Sequence, residues 1–200
     1  MLLFLDTEFT DLVVLPRLLS VGLVGDIPGR NAAGCADAAD FYAEVTDLDR
    51  LRSASWFALS AVLPQFGQVA GAGCSYHALG LRLGDHLRCL STSLAAGECV
   101  EIVFGYALDW DLVDLAIRDA DAPRWAFTRQ RLKPCNVYDT TGFGAGALAS
   151  QAYFRTQAQA AFGRHHALCD ARALRAAWGA AASDDTSAHA VRDPHVAQAA

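Results

Sequence analysis

Leu2-Leu3-Phe4-Leu5-Asp6-Thr7-Glu8-Phe9 is an apolar run that ends in two carboxylates separated by a single residue. Read as a β-strand, alternation places Asp6 and Glu8 on one face, about 7 Å apart at Cα. Two anions on one face at the end of a buried strand repel each other, and a hard divalent cation with oxygen ligands is the usual remedy. The competing reading is a pair solvated beyond the strand end, and the D-x-E pattern by itself does not separate the two.

Two further stretches give the pair its weight. Val100 to Phe104 is a second apolar run, and Phe104-Gly105-Tyr106-Ala107-Leu108-Asp109 leads from it into a helical pattern. His165-His166-Ala167-Leu168-Cys169-Asp170 opens a third element. On a continuous helix, five residues would turn His165 and Asp170 about 140° apart. Their side chains converge only if His165 lies in the loop before the helix, where Gly163 makes such a loop plausible. A surface His-His pair before a helix is the alternative for these residues taken alone.

Together the three stretches resemble the motifs of the DEDDh group of 3′-to-5′ exonucleases: D-x-E, a later Asp at a strand-to-helix junction, and H-x-A-x-x-D. Order and spacing fit over residues 1 to 182. The resemblance implies that Asp6, Glu8, Asp109 and Asp170 bind two Mg²⁺, with Mn²⁺ as an alternative ion. Asp6 would bridge both ions, Asp170 would complete one, and Glu8 would also orient the attacking water. Asp109 is preferred to Asp111 because an apolar residue usually stands three positions after the motif's Asp, and Leu112 does so here. Relatives often carry an Asn shortly before this Asp, where Gly105 and Tyr106 stand in this chain.

His165 would be the general base, its ordinary pKa near ~6.5 leaving it neutral enough to take a proton at neutral pH. His166 competes, but only His165 has Ala two residues on and Asp five on. Thr7 and Phe9, flanking the first motif, would touch the terminal nucleotide. The implied activity is release of nucleoside 5′-monophosphates from the 3′ end of a single strand. Asp-Thr-Glu-Phe looks like compact bacterial members proposed to act on RNA, which favours RNA. A DNA-specific repair or proofreading exonuclease and a catalytically silent nucleic-acid-binding relative are the alternatives. Many relatives are homodimers, so a homodimer is left open.

Composition bounds these readings. The 200 residues are 53% hydrophobic, enough for one sizeable core. No run approaches the ~18 apolar residues of a membrane span, and the first residues lack the marks of a signal peptide. A cytoplasmic protein without membrane partners is expected. The six cysteines show no C-x-x-C pair and read as small buried hydrophobes, not as a zinc site or a disulfide frame. The net charge is −6, which argues against tight binding to long duplexes. Two divalent cations would cancel four of the negative charges. Arg124 to Lys133, with Trp125, Phe127, Arg129 and Arg131, combines aromatics and cations as a single-strand path would, although a solvated edge fits equally well.

Along the chain, Leu18–Val24 and Phe41–Val45 read as strands that form an antiparallel meander with the first. Ser53–Leu63 reads as a short helix closed by Pro64, and Gln65–Ser75 as glycine-rich connection. Leu79, Leu83, Leu87 and Leu90 mark an amphipathic helix, with Arg82, Asp85 and Arg88 turned outward. A strand over 100–104, a helix from Asp109, a fifth strand over Cys135–Thr140 and helices over 147–162 and 167–182 follow. Asp139 is expected to cap a helix. Gly142 to Gly146 does not match a dinucleotide fingerprint. Residues 183–200 read as a disordered tail beyond an exonuclease domain of residues 1–182. Periodicity supports an α/β fold with a mixed sheet. The resemblance makes it ribonuclease-H-like, with five strands.

Overall fold

The computed structural model describes residues 1–12, 15–26, 40–137, 143–156 and 163–191. Alternation along β1 (Leu2–Phe9) sorts its side chains between two helical layers. Leu3 and Leu5 enter the larger core, with Val21, Leu23, Ile102 and the apolar faces of α2 (Tyr76–Thr92) and α3 (Ala107–Arg129). Phe4 points the other way, into a cluster with Val24, Val103 and Ala171, and its ring meets Trp178 edge-on at 6.3 Å. Asp6 and Glu8 share the parity of Phe4, while Thr7 shares that of Leu5.

β2 (Leu18–Gly25) and β3 (Phe41–Val45) continue from β1 as an antiparallel meander. β5 (Val100–Phe104) lies parallel to β1 on its other side, and β6 (Leu132–Asn136) lies parallel to β5. The sheet has six strands, not five. The added member is β4 (Gly73–Cys74), two residues that pair in parallel with Glu44 and Val45 at the edge. The full order is β4-β3-β2-β1-β5-β6. So short a strand lies inside the glycine-rich connection and has no periodicity of its own.

The amphipathic helix is α2, with Leu79, Leu83, Leu87 and Leu90 buried and Arg88 paired to Asp85 at the surface. Other boundaries move. The helix expected over 53–63 is divided into α1 (Leu48–Arg52), a π-helical turn at Ala58–Val62 and a 3₁₀ turn at Leu63–Gln65. Pro64 sits inside the last turn and does not close a helix, because a first-turn proline lacks only an N–H that would be unbonded anyway. β6 starts at Leu132, ahead of the expected Cys135, and tolerates Pro134 because it is an edge strand. Residues 138–142, including Asp139, lie outside the described residues, as do 157–162.

α4 (Phe143–Thr156) packs on α5 (Ala167–Val191), which covers β1 and β2. The final helix runs past Ala182, so residues 183–191 are helical and not the start of a disordered tail. Residues 192–200 lie outside the described residues. Cys74, Cys99, Cys135 and Cys169 form no disulfide, but Cys89 is disulfide-bonded, contrary to the expectation that no cysteine pairs. Among the described residues no helix is long and apolar enough to cross a membrane.

Candidate metal and catalytic site

The C-terminal end of β1 opens into a cavity of about 580 Å³ lined by Asp6, Thr7, Glu8, Phe9, Tyr106, Asp109, Arg164, His165 and Asp170, with Asp11, Leu12, Ser55 and Phe57 at its margin. Four separate stretches of chain therefore meet there: β1 with the residues just after it, Ser55 with Phe57, the first turn of α3, and the loop before α5 together with that helix's first turn.

Local structure explains each position. Asp109 is 3% exposed, at the start of α3, where its Oδ2 accepts the Tyr106 N–H at 3.1 Å and so caps the helix. Its Oδ1 accepts the Thr7 hydroxyl at 2.7 Å and the Thr7 N–H at 3.2 Å. Thr7 thus ties α3 to the strand that carries Asp6 and Glu8. Asp111, two residues on, is exposed and does not line the cavity.

His165 lies before α5, as the spacing required, and its φ of +66° is a left-handed conformation uncommon for a non-glycine residue. Its N–H donates to Asp170 Oδ2 at 2.7 Å, and its ring meets Phe57 edge-on at 4.8 Å. His166 points elsewhere. It is 1% exposed and stacks on Tyr42 at 4.5 Å between ring centroids, and burial holds it at about 4.

The close seating of α5 depends on a residue that sequence reading passed over. Gly22 pairs with Asp6 across the sheet, and a Cβ there would lie 2.5 Å from backbone atoms of Ala167 and Leu168. Only a bare Cα lets the start of α5 settle on β2 beside the acidic pair. Gln65 is a second omission. Its side-chain amide reaches the backbone of residues 163–165. A third is Arg164, which lines the cavity and lies over the Phe154 ring at 4.5 Å. No short motif marks Gly22 or Gln65, since each acts on chain more than ninety residues away.

Electrostatics show how closely the carboxylates are drawn together. Burial, then Asp109, Asp170 and Glu8, push Asp6 well above the usual carboxylate range. Glu8 is pushed up to about 8 by burial and then by Asp170 and Asp109. Burial also raises Asp109 and Asp170, but only to about 6, because hydrogen bonds from Thr7 and Tyr106, and from the His165 and His166 backbone, favour their charged forms. His165 is lowered by burial and by neighbouring Arg164, which favours its neutral form.

Glu8, His165 and Asp170 place one potential ligand atom each within 4.8 Å of one another. This trio differs from the expected set, in which four carboxylates bind metal and the histidine stands apart as a base. Asp6 and Asp109 line the same cavity but fall outside the tight group. An oxygen-rich set with one imidazole, crowded enough to raise its own pKa values, suits a divalent cation.

The structure does not bring Arg129 and Arg131 to the cavity. α3 starts at the site and runs away from it, and β6 begins at the far end of the parallel strands, where Val100 pairs with Leu132. Arg129 donates to the Leu132 carbonyl, lies near Asp114 and covers the Trp110 ring. Arg131 donates to the carbonyls of Leu94, Ala95 and Glu98. Arg124 pairs with Asp85 and Asp121, and Lys133 with Glu101. The cations of residues 124–133 are spent on the protein's own anions and carbonyls. Thr7 and Phe9, by contrast, do line the cavity. Comparison with known proteins adds nothing to this geometry: no family model matches the chain, and no curated protein matches it.

Proposed function

We propose that the chain is a metal-dependent 3′-to-5′ exonuclease that hydrolyses the terminal phosphodiester of a single strand, RNA in preference to DNA, and acts in the cytoplasm. The observation that carries this reading is the convergence of Asp6, Glu8, Asp109, Asp170 and His165 on one cavity from three stretches of chain. The sheet supports it too. Without β4, the order β3-β2-β1-β5-β6, with only β2 antiparallel to the rest, is compatible with a ribonuclease-H-like fold.

Glu8 and Asp170, with Asp6 and Asp109 beside them, would hold the Mg²⁺ or Mn²⁺ ions. When bound, such ions neutralise the carboxylates and stabilise charge on the phosphoryl oxygens. The protein's own groups have the remaining tasks. Neutral His165 accepts a proton from water as its oxygen attacks phosphorus. The bond from phosphorus to the 3′-oxygen of the preceding nucleotide breaks, that oxygen is protonated from solvent, and the 5′-monophosphate leaves. Phe9, Phe57 and Tyr106 offer apolar surface to a base, and Arg164 is the one arginine among the described residues lining the cavity.

The test offers 5′-labelled single-stranded RNA and DNA of one sequence to wild type, Asp6→Ala and His165→Ala, with Mg²⁺ and with chelator. A ladder shortened from the 3′ end is expected for wild type with Mg²⁺. Asp6→Ala should be inactive, and His165→Ala should lose roughly 10²–10⁴-fold in rate while retaining cation binding. Cleavage that persists under chelation refutes the proposal.

A further inference from the structure

Gln65 stands at the end of the 3₁₀ turn, about a hundred residues before the loop that carries His165. Its Nε2 lies 2.8 Å from the Arg164 carbonyl, 3.1 Å from the His165 carbonyl and 2.9 Å from the Ala61 carbonyl. Its Oε1 accepts the Gly163 N–H at 3.1 Å. One amide therefore addresses three consecutive residues of the loop as both donor and acceptor. Its own support is firm. Val62, in the turn just before it, is buried against Leu19 and Ala58, and Gly67, two residues on, donates to the buried carboxylate of Glu44 at 2.8 Å.

The loop needs such a hold. A non-glycine residue at φ +66° persists only where its surroundings fix it. The Asp170 carboxylate grips the His165 N–H from one side, and Gln65 grips its carbonyl from the other. Without the amide, the 163–165 backbone is free to leave the left-handed conformation and carry the imidazole out of the cavity.

We propose that Gln65 is the positioning residue for His165: its side-chain amide clamps the 163–165 backbone and sets where the imidazole stands. Gln65 itself does not line the cavity. The inference rests on the exonuclease reading, in which His165 is the base, and also makes a claim about the loop that needs no activity.

The test compares wild type, Gln65→Leu, Gln65→Glu, His165→Ala and the Gln65→Leu/His165→Ala double variant. Gln65→Leu keeps the bulk without the polar atoms, while Gln65→Glu keeps an acceptor for Gly163 but loses the donors. Amide hydrogen exchange at residues 163–165 is measured without substrate and should quicken about tenfold or more in both single variants at Gln65. With single-stranded RNA and Mg²⁺, kcat should fall on the order of 10²-fold, as for a misplaced catalytic group, with KM nearly unchanged. In the His165→Ala background, Gln65→Leu should cost nothing further, because both changes remove the same contribution. Should Gln65→Leu fold poorly, exchange and kcat in Gln65→Glu decide. Unchanged exchange at 163–165, or losses that multiply in the double variant, overturns the proposal. A wild type that does not cleave overturns the exonuclease reading, and the exchange result still decides whether Gln65 holds the loop.

Discussion

Replacing Asp6 by Asn removes one titratable carboxyl from a crowded acidic cluster, and the structure sets the sign and size of the result. Glu8 is held at about 8 against an ordinary 4.5, so the folded protein keeps a proton that the unfolded chain has released. Wherever the native state binds more protons than the unfolded one, stability falls as pH rises, here from the unfolded value up through the folded one. Between pH 5 and 7, Glu8 alone costs about 2.5 kcal/mol at ~1.36 kcal/mol per pKa unit. For a chain of this size that is roughly 5–10 °C in Tm. Asp109 and Asp170, both raised to about 6, act in the same direction. Scanning calorimetry in chelator should show the wild type losing Tm over this interval. Saturating Mg²⁺ at pH 7 should restore it, with about 2.7 kcal/mol gained at a hundredfold excess over Kd. Asp6→Asn should show a shallower pH slope, a higher Tm than wild type in chelator at pH 7, and little response to Mg²⁺. A chelated wild type with flat Tm from pH 5 to 7, or an Asp6→Asn variant less stable than wild type at pH 7, refutes the reasoning.

Gly22→Ala drives a methyl into the backbone of Ala167 and Leu168, so α5 must shift. About 3 kcal/mol of destabilisation is expected, together with a loss of nuclease rate on the order of 10²-fold, read by thermal unfolding and single-turnover cleavage. Thr7→Val removes the shorter of the two Thr7 bonds to Asp109 Oδ1. That bond lowers the Asp109 pKa, so its loss moves the acidic limb of the pH–rate profile upward and costs about 1–2 kcal/mol of stability. An acidic limb that stays in place would separate Asp109 from the chemistry. Arg129→Ala and Arg131→Ala should leave kcat/KM on single-stranded RNA within about twofold while lowering Tm by a few degrees, since their bonds go to backbone carbonyls far from the cavity. A tenfold fall in kcat/KM with Tm unchanged would put the strand across α3 after all.

Much of this arrangement was legible because it is written in period and order. The four leucines of α2 repeat at helical spacing, the first run of apolar residues alternates as a strand, and the five-residue interval from His165 to Asp170 required a loop before a helix. Asp109 is a buried capping carboxylate that lines the cavity, whereas Asp111 is exposed. What escaped has a common cause. β4 is two residues long, Gly22 acts by having no side chain, and Gln65 acts on chain about a hundred residues away. Arg129 and Arg131 misled for the opposite reason: a sequence displays a charge but not the carbonyls and carboxylates that occupy it.

The four carboxylates are not equivalent, and their origin in the fold explains why. Asp109 and Asp170 sit in the first turns of α3 and α5, where backbone N–H groups and the positive helix ends favour a negative charge. Asp6 and Glu8 stand on a strand, which has no comparable dipole. Burial acts on all four, and carboxylate repulsion adds to it at Asp6, Glu8 and Asp109, yet the helix pair rises only to about 6 while Glu8 reaches about 8 and Asp6 lies well above its usual range. At neutral pH the helix pair is therefore mostly ionised and Glu8 mostly protonated, so a cation would displace protons chiefly from β1. Ion binding should then release protons and tighten as pH rises toward 8, which links occupancy of the cavity to the same two residues whose spacing first pointed to it.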